Sequence, residues 1–147
     1  MVDITINASP RTIRLKGIGT RLELPAAGTI LPGSICLLGS ANTVTVWGTA
    51  GGHPPKLFAL ENELIGKGID DNYVSGDLVQ MEWFTSGDWV LAYVAAAATA
   101  LTIGAFVEAD GAGGVRLFAS GTILGVSMDA LDNSGGANIA RVRIALT

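Results

Sequence analysis

Apolar residues in this chain come in short runs that glycine keeps interrupting. The pattern is densest from Asp77 to Gly125, where Val, Leu, Ile, Phe, Trp and Tyr cluster and charges are sparse. Ser86-Gly87-Asp88, Asp110-Gly111-Ala112-Gly113-Gly114 and Ser120-Gly121 cut between the runs. Glycine supplies the positive φ that tight turns need, so apolar runs bounded by Gly and Asp read as strands. The pattern predicts strands over 78–85, 88–95, 103–109, 114–119 and 122–128. It further predicts a buried hairpin of 88–95 with 103–109, connected by 96–102, where Ala95–Ala98 could add one helical turn.

Weaker alternation extends the reading to both ends. Thr43–Trp47 is a strand by its β-branched content, Thr29–Leu38 reads as a turn followed by a strand, Lys56–Leu60 is a further candidate, and Ile139–Leu146 alternates Val142, Ile144 and Leu146 against Arg141 and Arg143. Residues 17–27 read as irregular, 64–74 as a surface loop and 128–138 as a second loop. Residues 1–16 alternate through Ile4, Ile6, Ile13 and Leu15 and are broken at Pro10. The expected fold is all-β, a compact barrel or sandwich of short strands (residues 28–147), preceded by an extended N-terminal arm and linker (residues 1–27). Trp83, Trp89, Phe106 and Phe118 are expected in the core or a subunit interface, with Cys36 an inert buried strand residue.

A faint echo runs through this pattern. Without gaps, Ile30–Cys36 lies over Leu101–Val107, and Val44, Val46 and Trp47 lie over Val115, Leu117 and Phe118. Two unrelated β-hairpins can resemble each other this much; a duplicated β unit is the alternative.

One stretch challenges the strand reading. Trp89–Val107 is nineteen residues without a charge, long enough to cross a bilayer. Its apolarity comes largely from alanine, however, and Asp88 and Glu108 stand at its ends instead of basic anchors. A buried strand pair suits it better.

Composition changes the picture in two ways. Apolar residues make up 49% of the 147 and charged residues 15%, so much of the surface must be neutral, as when other chains cover part of it. The net charge of −4 disfavours binding nucleic acid through its phosphates. A single cysteine excludes an intrachain disulfide, and Met1-Val2-Asp3 lacks the basic start and apolar stretch of a signal peptide. Synthesis in a cytoplasm is therefore expected. Arg11, Arg14 and Lys16 concentrate positive charge in an otherwise acidic chain. They read either as a solvated edge strand or as a candidate partner-binding arm that adds to a neighbour's sheet.

Candidate chemistry is thin. His53, the only histidine, lies in Gly52-His53-Pro54-Pro55 with no nucleophile pattern around it. Asp70-Asp71-Asn72 and Asp129 with Asp132-Asn133 match no calcium loop. Gly111–Gly114 lacks the Lys-Ser/Thr of a phosphate loop, and Glu61, Glu63 and Glu82 have no sugar-binding surroundings in sequence. No catalytic residue, metal ligand or cofactor is expected.

Leu57–Asn62, Gly66–Asp77, Thr85–Val90, Gly104–Val107, Gly113–Val115, Ile123–Val126, Ala130–Asn133 and Arg141–Ile144 carry a family resemblance. Over about residues 28–147 the chain resembles the small capsid cement (decoration) proteins of tailed bacteriophages. The resemblance implies a β-rich, non-enzymatic virion protein that binds the outside of an assembled shell and bridges major capsid protein subunits. It implies a homo-oligomer, a trimer in preference to a dimer, and transfers no catalytic residue. Neither nucleic acid nor membrane is an expected partner. Two other classes remain: another virion β-module, such as a head-fibre base or tail adhesion protein, and a small enzyme with a site shared between subunits.

Overall fold

The computed structural model describes residues 11–136 and 139–147. Eleven strands are present among them: β1 (Arg14–Lys16), β2 (Thr20–Pro25), β3 (Cys36–Leu38), β4 (Val44–Val46), β5 (Leu57–Ala59), β6 (Leu78–Trp83), β7 (Trp89–Val94), β8 (Phe106–Ala109), β9 (Val115–Leu117), β10 (Gly125–Ser127) and β11 (Ala140–Leu146). The one helical element among the described residues is a 3-10 turn, Glu63–Ile65. The fold is all-β, as the glycine-cut apolar runs predicted. All strand ladders are antiparallel, in a six-stranded sheet ordered β1-β7-β11-β10-β8-β9, a three-stranded sheet β2-β6-β5 and the hairpin β3-β4. Among the described residues no ladder closes a sheet into a barrel.

Two units of one topology make up the molecule. In the first, β2-β6-β5 is joined to β3-β4 by the antiparallel bridge Ile35↔Phe58, and the parallel bridge Ala26↔Val44 ties the end of β2 to β4. In the second the order is β7-β11-β10-β8-β9, so β2 to β6 correspond in turn to β7 to β11. The registers agree as well. Cys36 faces Val46 and Leu38 faces Val44, as Val107 faces Leu117 and Ala109 faces Val115 in the ungapped alignment. Gly33 N–H donates to Ala59 C=O and Ala59 N–H to Ser34 C=O, as Gly104 N–H donates to Ser127 C=O and Ser127 N–H to Ala105 C=O. The echo in the sequence is thus a duplicated β unit at the level of backbone pairing.

The apolar faces bury two cores. Ile30, Cys36, Val44, Leu57, Val79 and Met81 build one within the first unit. The larger core gathers Val90, Val107, Val115, Val142 and Ile144 of the second unit with Ile35 and Phe58 of the first. Phe58 meets Phe84 edge to face, ring centres 5.9 Å apart. This larger core welds the units, because first-unit side chains fill it.

Several expectations need correction. The hairpin of 88–95 with 103–109 does not form: β7 lies between β1 and β11, and β8 between β10 and β9. Pairing with β11 matches six consecutive residues of β7, a ladder that no partner after a seven-residue connection supplied. The alanine stretch makes no helical turn; Ala97 adopts φ +58° in a tight non-helical turn. No helix among the described residues is long and apolar enough to cross a membrane. Residues 20–25, read as irregular, are strand β2, paired along its length with β6. Its charges and Pro25 hid it, yet they sit where an edge strand keeps them, in solvent. Tyr73, read as part of a surface loop, is buried; its hydroxyl donates to Leu60 C=O at 2.6 Å and its backbone bridges Ile30. Where an arm and linker over 1–27 were expected, Ile13 is fully buried and residues 14–16 and 20–25 are strands of the two larger sheets. Ile4, Ile6 and Pro10 lie outside the described residues.

Of the four aromatics expected in the core or an interface, Trp83 and Trp89 are half-buried, Phe118 likewise, and Phe106 is 50% exposed. Phe58 and Phe84 take the core instead. Cys36 is buried, and burial pushes its thiol up to about 12 despite a backbone hydrogen bond with Ala59, so it stays protonated and unreactive.

Candidate partner-binding surfaces

The basic residues near the N-terminus are partly engaged within the fold. Lys16 places its ammonium 4.8 Å from the centre of the Trp89 ring, a cation–π contact across the β1–β7 ladder. Arg14 reaches Glu82 at 3.6 Å, and Arg11 is exposed. Glu82 is buried on β6, and its Oε2 has no hydrogen-bond partner among the described residues. Burial raises the Glu82 carboxyl above the ordinary glutamate value; Arg14 and Arg21 pull the other way without prevailing. Ile13, one residue before β1, gives its N–H to Glu61 Oε2 at 3.0 Å and accepts from Leu91 N–H. β1 is therefore docked by backbone, apolar and charged contacts together.

The acidic clusters do structural work. Asp70 pairs with Arg141 at 2.8 Å, and Asp71 accepts the Gly68 N–H in a turn. Asp129 is paired with Arg143, whose hydrogen bonds hold its carboxyl below the ordinary aspartate value. Asp132 accepts from Ser134. Glu63 faces Arg21 at 3.8 Å. Asp110 Oδ1 accepts from Ala112 and Gly114 N–H, which makes Gly111–Gly114 the tip of the β8–β9 hairpin. Glu108 is fully buried; burial would raise its carboxyl, but Arg116 and the Gly121 and Ala119 amides outweigh this and bring it below the ordinary value. No group of three or more His, Cys, Asp and Glu among the described residues is placed to hold a metal ion. His53 is exposed in its loop.

What the surface offers is apolar. Leu37, Leu38 and Ile123 are each partly exposed around a groove of about 630 Å³ that Pro54, Pro55 and Trp83 also line. Its origin lies in a difference between the units. In the second, Leu124 N–H donates to Val107 C=O at 2.8 Å, extending the contact of β10 with β8. Aligned through Ser127 and Ala59, the equivalent position of the first is Lys56, just after Pro54 and Pro55; no such bond joins it to Cys36 among the described residues, and β3 parts from β5 beyond the Ile35–Phe58 bridge. Leu64, Ile65 and Leu78 line a smaller cleft of about 330 Å³ beside β2. Ile103, 72% exposed, and Phe106 form a third apolar area at the start of β8. The sequence reading named Trp83 and Phe106 as core or interface residues but located none of the three surfaces, having assigned the leucines and isoleucines around them only to strands and loops. The Pro-Pro pair was the one available signal for the groove.

No protein-family model and no curated protein matches the chain. Among solved structures it is similar to the head fiber gp8.5 N base in bacteriophage phi29, with a TM-score of 0.57 and 11% identity, over 88% of this chain and 95% of that one. At that identity the likeness is one of fold.

Proposed function

We propose that this chain is a structural protein of a phage virion that docks on the outer surface of the assembled shell and acts without catalysis. The observation that carries the reading is the shared fold with a head-fibre base over nearly the whole of both chains. Neutral, partly apolar surfaces on a domain of low charge support it, since such surfaces suit burial against other chains. In this reading the protein is a cement protein that bridges major capsid subunits. Each copy needs only a modest contact, because repeated contacts on a lattice add up and ligation of the folded shell stabilises it by mass action. The protein would act as a homo-oligomer, a trimer in preference to a dimer, with no nucleic acid, membrane or cofactor involved.

A second reading, the base of a head fibre, is favoured by the neighbour's own description. The two differ in stoichiometry. Purified protein is mixed with expanded and unexpanded shells and co-sedimented. A cement protein coats shells at many equivalent positions and raises their melting temperature. A fibre base binds at fewer positions and leaves shell melting unchanged. Absence of binding to either shell would refute both readings.

A further inference from the structure

The two units are joined in a way that leaves one half of their junction unused. In the first unit, Trp47 N–H donates to Ile35 C=O, but Ile35 N–H and Trp47 C=O do not bond each other. They clasp the peptide groups of Gly113 instead: Ile35 N–H donates to Gly113 C=O at 2.6 Å, and Gly113 N–H to Trp47 C=O at 3.0 Å. Gly113 sits at the β8–β9 tip with φ +87°, and this left-handed conformation presents both groups to the clasp. A Cβ there would lie 2.9 Å from Val46 Cβ and 3.3 Å from Ser34 Cβ, so glycine suits the position on both counts.

The second unit carries the same clasp, empty. Phe106 and Phe118 are the equivalents of Ile35 and Trp47, and Phe118 N–H donates to Phe106 C=O at 2.9 Å in the same way. Among the described residues nothing pairs with Phe106 N–H or Phe118 C=O. Ile35 is fully buried in the junction, whereas Phe106 is 50% exposed and Ile103 beside it 72%. The first unit likewise carries the tip that such a clasp receives. Asn42 is the equivalent of Gly113, is exposed, and is left-handed at φ +54°. Its hairpin bears the exposed Leu37 and Leu38.

We propose that copies of this chain associate head to tail, the Asn42 tip of one seated in the Phe106–Phe118 clasp of the next. The occupant is a second copy because tip and clasp are the two unused halves of a junction that the fold already makes once. Tip and clasp lie on different units, so the contact is heterologous; it closes a ring or propagates as a filament, according to the rotation it imposes. The outer contact is weaker than the inner one, since the Asn42 side chain must be accommodated where Gly113 has none. This names a contact for the self-association proposed above and needs no shell, so its failure leaves shell binding untouched.

Sedimentation velocity on the free protein across a concentration series tests it. Wild type should show concentration-dependent association. Asn42→Gly should lower the association midpoint severalfold; φ is positive in free and bound chains alike, so the gain isolates removal of the Cβ. Phe106→Asp and Leu38→Asp should each abolish growth beyond the monomer, while an equimolar mixture of the two should form dimers through the one intact tip and clasp. Unchanged melting curves would show that both variants fold. Should Phe106→Asp unfold, hydrogen exchange on wild type decides instead, because the Phe106 amide must slow as concentration rises. A monomer at all concentrations for wild type and Asn42→Gly, association indifferent to Phe106→Asp, a mixture that stays monomeric, or a Phe106 amide indifferent to concentration would each overturn the proposal.

Discussion

Phe58 is the side chain on which the union of the two units depends, and truncating it gives a sharp test. It belongs to β5 of the first unit, is fully buried, and lies in the core that the second unit's strands build. Phe58→Ala removes most of a buried aromatic side chain and leaves a cavity where relaxation is limited by Ile35, Val107 and Val142 around it. Such truncations cost about 3–5 kcal/mol, and the lost edge-to-face contact with Phe84 belongs in that range. A domain of this size has roughly 5–15 kcal/mol in total, and 1 kcal/mol shifts its melting temperature by about 2–4 °C. The expected fall is therefore about 6–20 °C, read by thermal unfolding, with urea unfolding giving the cost directly. Phe106→Ala is the internal control: half exposed on β8 outside the buried cluster, it should move the melt far less. Both units should still unfold in one transition in wild type, since first-unit side chains are part of the second unit's core. A cost under about 1 kcal/mol for Phe58→Ala would refute the reasoning. So would a Phe106→Ala cost as large, or two separate wild-type transitions.

Other outcomes follow from the same structure. Glu82 has a raised carboxyl, so its stabilising contribution is complete below the ordinary value of 4.5 and is lost as pH rises through the folded value. Glu82→Gln should thus gain stability relative to wild type between acid and neutral pH, measured as melting temperature against pH; a constant difference would sink this. Glu108 has a lowered carboxyl, with stability present above 4.5 and lost as pH falls through its folded value. Arg116→Ala orphans that buried carboxylate and should lower the neutral melting temperature while shrinking the acid-side loss, checked in the same pH series. Deleting residues 1–16 strips Ile13 from the core and exposes the β7 edge, so the truncated protein should melt well below wild type. A normal melt would restore the picture of a detachable arm.

Much of the strand inventory was legible because β-structure writes a local signature. β6 and β7 follow from glycine-bounded apolar runs and β11 from apolar alternation, and Val142, Ile144 and Leu146 turn inward as that alternation requires. The duplication was visible only as an ungapped echo between two hairpins, since the paired backbone groups that prove it are common to every residue type. The candidate surfaces were hardly legible. Leu37, Phe106 and Ile103 read as strand or turn residues whether they face a core or a solvent, and only their surroundings separate the cases.

The sequence by itself determined the class of the fold and the turns. These depend on local φ preferences and on apolar period, which each short stretch carries alone. Tertiary structure decided the rest. It paired β7 with β11 rather than with the nearby β8, because the six-residue ladder joins residues far apart in the chain. It drew Ile13 and residues 20–25 into the sheets, where a local reading saw charge, glycine and proline. It also set which copy of each repeated position is covered: Ile35 and Phe106 occupy the same place in their hairpins, and only the packing of one unit on the other buries the first and leaves the second open.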